Sequence, residues 1–212
     1  TPRRCNTRRV RAGGRCTLRA PRGIGKERQK KVIREAVVSD LAAIRKGDFK
    51  RWNKTDVNDP YWEGKRMAMY ARLAVIADEV GMVPEREEAV ALAAAAMTPW
   101  LEGTNDNPLL YDMTWGGVIL QSGLSNPYVN FGNTYYNDHH FQYGYLCYCA
   151  AVLARFDPGF VRKHKGTLTA LVADIANDDD ASPSFPLARH KDFFDGHSLS
   201  LIHISEPTRR TP

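Results

Sequence analysis

The densest concentration of side chains able to do chemistry is the run Phe131–Tyr145, which reads FGNTYYNDHHFQYGY. One carboxylate, Asp138, and two imidazoles, His139 and His140, sit there among aromatic rings. Such a rim suits carbohydrate. Sugar rings present apolar CH faces that stack on Trp and Tyr, and hydroxyls that need paired donors and acceptors. A carboxyl among aromatics is desolvated, which raises its pKa and fits it for general-acid work. A helix N-terminus acts the other way and favours the ionised form. Asp138 therefore needs burial, or a second carboxylate nearby, to hold its proton.

A metal centre is the rival use of the same residues. Adjacent helical residues point in different directions, so Asp138, His139 and His140 cannot all ligate one ion. The run lacks HExxH spacing, and Cys147-x-Cys149 lacks zinc-site spacing. No metal and no cofactor is therefore expected, and Cys147 and Cys149 read as small core residues. Two further clusters flank the first. Tyr111-Asp112-Met113-Thr114-Trp115-Gly116-Gly117 joins a carboxylate to an aromatic and two glycines that let backbone approach a ligand; a plain turn with a buried Trp115 fits the letters as well. Phe185–Phe194 packs Arg189, His190, Lys191 and Asp192 between aromatics, and by itself reads as a surface salt-bridge patch.

The elements that must hold these residues are helical. Ile33, Val37, Leu41 and Ile44 share one face, and Gly47 closes that segment. After a polar loop from Lys54 to Pro60, Met67, Tyr70, Leu73, Ala74, Ala77 and Val80 make a second stripe, stopped by Gly81. Pro84 opens a third helix with Glu85, Glu87 and Glu88 in its first turns. Its face is Val90, Ala94, Met97 and Leu101, and Pro99 bends or ends it. Residues 102–137 are irregular, rich in Gly, Asn, Pro and aromatics, with no strand-period run. Asn137 or Asp138 caps a helix whose span Phe141–Ala154 is apolar nearly all round, as a helix buried on both sides must be. Phe160, His164, Thr167, Leu168, Leu171, Val172 and Ile175 form a last stripe. Buried helices wrapped by amphipathic ones give a layered all-α fold.

The chain has 212 residues, 43% apolar and 25% charged. That is a globular composition with room for a sizeable core, not a disordered or collagen-like one. Four Cys exclude a disulfide-dense mini-protein. No stretch approaches the ~18–20 apolar residues of a membrane helix, so no membrane partner is expected. The formal net charge of +6 is local: 13 of the 30 Lys and Arg lie in residues 1–35, and the rest of the chain is net acidic. Nothing aromatic is interleaved with those arginines to stack bases, so nucleic acid is not expected as a partner. No apolar region follows them as in a signal peptide. Residues 1–30, with Cys5 and Cys16, read instead as a disordered or non-native leader.

The ordered clusters resemble glycoside hydrolase family 81, the endo-β-1,3-glucanases. The matching residues are Asp59-Pro60-Tyr61-Trp62, Pro99-Trp100-Leu101-Glu102-Gly103, Tyr111-Asp112 with Thr114–Gly117, the run Phe131–Tyr145, Phe156-Asp157-Pro158, Asp174-Ile175-Ala176-Asn177, and Phe185-Pro186 with Arg189–Asp192. The resemblance implies an (α/α)6 barrel preceded by a β-sandwich, of which residues 31–198 would be part of the barrel. It implies inverting hydrolysis of β-1,3-glucan, with Asp138 as general acid and a distant Glu as base. It also implies a substrate wall containing Asp112, Trp115, Tyr136, His140, His190 and Asp192. The family's glutamate-rich base motif has no counterpart after the Arg189–His197 region, and the neighbours of Glu206 do not match it. The 212 residues alone are therefore expected to turn over poorly. Residues 199–209 resemble a translated sequencing adapter, and residues 199–212 read as a non-native tail. Polymeric glucan lies outside most cells, so the parent protein is expected to be extracellular. A non-catalytic glucan-binding or helical interaction module is the alternative. The letters leave the oligomeric state open.

Overall fold

The computed structural model describes residues 27–47 and 59–192, with Phe194 and Ser198. The leader up to Lys26, most of the polar loop before Asp59, and the tail from Leu199 lie outside these residues. Among the described residues the chain is mostly helical: α1 (Glu27–Arg45), α2 (Pro60–Glu79), α3 (Val83–Glu102), α4 (His139–Phe156), α5 (Pro158–Lys163) and α6 (Lys165–Ala176). α1 begins inside the segment read as leader, at its Glu27. No described helix is long and apolar enough to cross a membrane.

Local chemistry sets the helix ends. The Asp59 carboxylate accepts from the amides of Tyr61 and Trp62, at 2.8 and 2.9 Å, and Pro60 fills the first helical position. A cap of this kind contributes about 1 kcal/mol. α3 runs on past Pro99 to Glu102, and Gly103 closes it in the left-handed conformation with φ 66°. Pro99 has no N–H to donate to the Ala95 carbonyl and crowds it, so the helix continues past it with one ladder bond fewer. The stripe after Asp157 is divided between α5 and α6 at His164.

α2 and α4 run parallel. Tyr61 stacks on Phe141 near their starts, with centroids 5.9 Å apart, and Arg155 pairs with Asp78 near their ends. Between these points Gly64 lets the helices approach, since a Cβ there would lie 2.9 Å from the Tyr145 Cβ. α3 folds back on α2 through a short turn, and both contribute alanines to the core: Ala71, Ala74 and Ala77 from one, Ala89 and Ala93 from the other. α6 runs antiparallel to α4, bringing its Asp174 to His139 at the start of α4. Leu41, Met67, Met97, Tyr143, Leu146, Leu153 and Leu171 are fully buried in this core.

Several expectations are corrected. The irregular stretch contains a hairpin, β1 (Leu109–Asp112) paired antiparallel with β2 (Gly117–Leu120). Each strand has only four residues, and β2 is buried throughout, so no alternation marks it. On α3 the buried face turns on Ala89 and Ala93, with Val90 and Ala94 only partly covered, because small residues line the close contact with α2. On α6 Val172 is 51% exposed, while Asp174 is fully buried. On α4 Phe141 is 46% exposed, so the helix has an open side at its start.

Candidate functional site

Asp138 occupies the cap position of α4, half-buried, with φ 54° and ψ 24°, and its side chain makes no capping hydrogen bond. The left-handed conformation is costly for a residue with a Cβ. Asn130, Phe131 and Tyr136 also have positive φ, so the approach to Asp138 is a wound loop rather than a plain helix entry. At its base the Asn133 side chain accepts from the Leu120 amide at 3.1 Å and donates to Gln142 and the Tyr143 hydroxyl, both at 3.1 Å. Tyr143 donates to the Val118 carbonyl at 3.0 Å. Burial pushes the Tyr143 hydroxyl well above its usual range, so it acts as a donor throughout.

His139 and His140 diverge, as adjacent residues must. His139 is fully buried, with Nδ1 2.6 Å from Asp174 Oδ2 and Nε2 2.7 Å from the Asn133 carbonyl. His140 turns toward His190, with ring centroids 5.1 Å apart. Burial, with the neighbouring His139 and His140, pushes His190 down to about 4, which keeps it neutral near pH 7. Ligand atoms of His139, Asp174 and His190 lie within 4.8 Å of one another, the spacing of a metal cluster. The donor set does not fit one. A carbonyl only accepts, so His139 Nε2 carries a proton, and Nδ1 is committed to Asp174; no lone pair remains for an ion.

The hairpin brings the second cluster alongside. Tyr136 donates to Asp112 Oδ2 at 2.9 Å. Desolvation pushes the Asp112 carboxyl up, but hydrogen bonds from Thr114, Tyr136 and Trp115 outweigh it and hold the group below its usual range. Asp112 is thus an ionised anchor for Tyr136, whose hydroxyl is raised by burial and by that carboxylate. Gly117 passes so close that a Cβ there would meet Tyr136 Cε1 at 2.3 Å and Asp174 Oδ1 at 2.6 Å. The glycine thus admits the protein's own side chains, where the sequence reading had it admitting a ligand. Trp115 at the hairpin tip is 69% exposed, so the buried-Trp reading fails. The structure brings Asp112 against Tyr136 and His190 against His140, while Asp192 lies at the edge, accepting from the Phe194 amide at 2.8 Å.

Among the described residues Arg189 is held by an aromatic ring and backbone carbonyls, not by a salt-bridge patch. Its guanidinium covers the Tyr136 ring, and Nη2 donates to the Trp115 and Gly116 carbonyls at 2.8 and 2.5 Å. Sequence reasoning gave no role to Asp174, Asn133 or Arg189. The usable signal was a lone acid, Asp174, within the apolar run Leu171–Ala176.

The family model described as the glycosyl hydrolase family 81 C-terminal domain matches residues 26–202. A primary septum glucan endo-1,3-beta-D-glucosidase of Schizosaccharomyces pombe is 36% identical over 165 residues, covering 76% of this chain and 16% of that protein. A glucan endo-1,3-beta-D-glucosidase of Glycine max is 34% identical over 152 residues, covering 70% of this chain and 23% of that one. The chain thus spans less than a quarter of the length of either relative. A solved glycoside hydrolase family 81 structure from Clostridium thermocellum aligns with TM-score 0.61 and 24% identity, over 81% of this chain and 23% of that one. That likeness concerns the fold.

Proposed function

Because the chain belongs to glycosyl hydrolase family 81, through that family's C-terminal domain, we propose that it supplies the acid half of an endo-β-1,3-glucanase site. The substrate is β-1,3-glucan of the laminarin or cell-wall type. Asp138 protonates the departing glucosyl oxygen, and a carboxylate outside these 212 residues activates water on the opposite face of the sugar. Inverting enzymes hold the two carboxyls roughly 6.5–9.5 Å apart to admit that water. Trp115, Tyr136, His140, His190, Asp112 and Asp192 form the wall along which the glucan lies. The neutral His190 and the ionised Asp112 suit hydroxyl recognition, because one offers a donor and an acceptor and the other accepts only.

The observation that carries this reading is the placement of Asp138. It stands at the open start of α4, beside the exposed ring of Phe141, with the Tyr136–Asp112 pair and the His140–His190 pair in the adjoining segments. The parallel α2 and α4, each followed by an antiparallel helix, support a partial (α/α)6 barrel in which both are inner helices. We place the working body at residues 31–198, between a leader and a tail that take no part in catalysis.

The test is reducing-sugar release from laminarin by the full-length protein. Release abolished by Asp138→Asn supports the assignment. Activity that survives Asp138→Asn removes Asp138 from the chemistry. Saturable glucan binding with no hydrolysis in the full-length protein would favour a binding module instead.

A further inference from the structure

The buried network beneath Asp138 takes no direct part in the proposed chemistry, yet it is built from ionisable groups that are expensive to bury. His139 and Asp174 are both fully buried. Their proton inventory is constrained. Nε2 must donate to the Asn133 carbonyl, which only accepts. A single proton then lies between Nδ1 and Asp174 Oδ2, 2.6 Å apart. Asp174 Oδ1 already accepts from the Val118 amide at 2.8 Å, and the Arg189 guanidinium lies close by, because a Cβ on Gly117 would touch both side chains.

From these contacts we infer that His139 and Asp174 form a buried hydrogen-bonded pair that serves as the positioning device for Asp138. Its grip is geometric. Asp174 fixes α6 to β2 through Val118 and to α4 through His139. His139, next in the chain to Asp138, then fixes the wound loop through the Asn133 carbonyl. Among the described residues, four of the five non-glycine residues with positive φ lie in that loop, at positions 130, 131, 136 and 138. Left-handed conformations of this kind persist only where the surroundings over-determine them. The aromatic groups around the pair, Tyr136, Tyr143 and His190, have ring centroids 5.0, 4.6 and 5.7 Å from the His139 ring. With them around it, the pair is closed off from water. The inference rests on the glucanase reading only for the use made of Asp138.

NMR of the 212-residue chain, labelled at histidine, tests the pair. A ring proton held between His139 Nδ1 and Asp174 is expected to give a downfield signal that exchanges slowly with water. Absence of that signal overturns the pair. Asp174→Asn is expected to shift or remove it and to shift or split the Asp138 amide signal, while the α4 helix signals stay in place. Should that variant not fold, His139→Gln is read on the Asp138 amide signal alone, since its amide can still donate to the Asn133 carbonyl. An Asp138 signal unchanged in a folded variant overturns the positioning role. In the full-length protein, Asp174→Asn should lower kcat on laminarin by up to about 100-fold with KM little changed. Absence of hydrolysis in the unsubstituted protein sinks the glucanase reading, while the NMR signals still decide the pair.

Discussion

The Arg189 guanidinium lies 3.9 Å from the centroid of the Tyr136 ring and donates to the backbone carbonyl of Trp115. One side chain thereby joins the segment after α6 to the hairpin tip and to the loop before α4. Arg189→Lys keeps the charge and a nitrogen able to donate to carbonyls but loses the planar guanidinium that stacks on the ring. It is expected to cost about 1–2 kcal/mol of stability and to broaden the fluorescence response of Trp115. Urea unfolding compared with Arg189→Ala checks this; equal stability of Lys and wild type would remove the clamp.

Gly117 is the point where the hairpin backbone threads between Tyr136, Asp174 and Arg189. Gly117→Ala puts a methyl where no free volume exists, and overpacking of this kind costs typically ~1–3 kcal/mol. The Cβ would meet a ring carbon and a fully buried carboxylate, so the upper part of that range is expected. A thermal melt of the variant checks it. A Tm within a degree or two of wild type would mean that the hairpin can shift aside freely.

His190 gives the site a pH signature. Burial holds it at about 4 in the folded protein, against ~6.5 for a free imidazole. Between those values the unfolded chain binds the extra proton, so stability rises with pH through this window and is fully present above ~6.5. Acidification from about 7 to about 4 should cost at most about 3 kcal/mol through this residue, less what solvent screening removes. His190→Gln should flatten that part of the stability–pH curve. A denaturant midpoint that falls equally in both proteins from pH about 6.5 to 4 would assign the acid sensitivity elsewhere.

The helices were legible because burial at a 3.6-residue period leaves a mark in the letters. The stripe from Met67 to Val80 is buried throughout, and Val37 and Leu41 anchor α1. The hairpin was not legible, because four buried residues in a row carry no period, and its partner strand is as short. The residues proposed for the site, Asp138, His140 and Asp112, stood out by type and by resemblance. Their supports did not. Asp174 and Arg189 lie 36 and 51 residues beyond Asp138 in the chain, and only the antiparallel course of α6 and the return of the following segment bring them to the site. The left-handed backbone at Asp138 and Tyr136 was equally hidden, since neither is a glycine, the residue type that usually marks such positions.

Trp115 separates binding from folding. At 69% exposure it contributes little to the core, so Trp115→Ala should change stability by no more than about 0.5 kcal/mol. Its indole stands at the hairpin tip, held by the carbonyl contact to Arg189, and offers a flat apolar face to a sugar ring. Aromatic stacking is worth roughly 0.5–1.5 kcal/mol, so binding of a laminari-oligosaccharide should weaken by about 3- to 10-fold. Titration calorimetry beside a urea melt checks both halves. A loss of affinity accompanied by an equal loss of stability would make Trp115 a structural residue, and unchanged affinity would take the hairpin tip out of the glucan path.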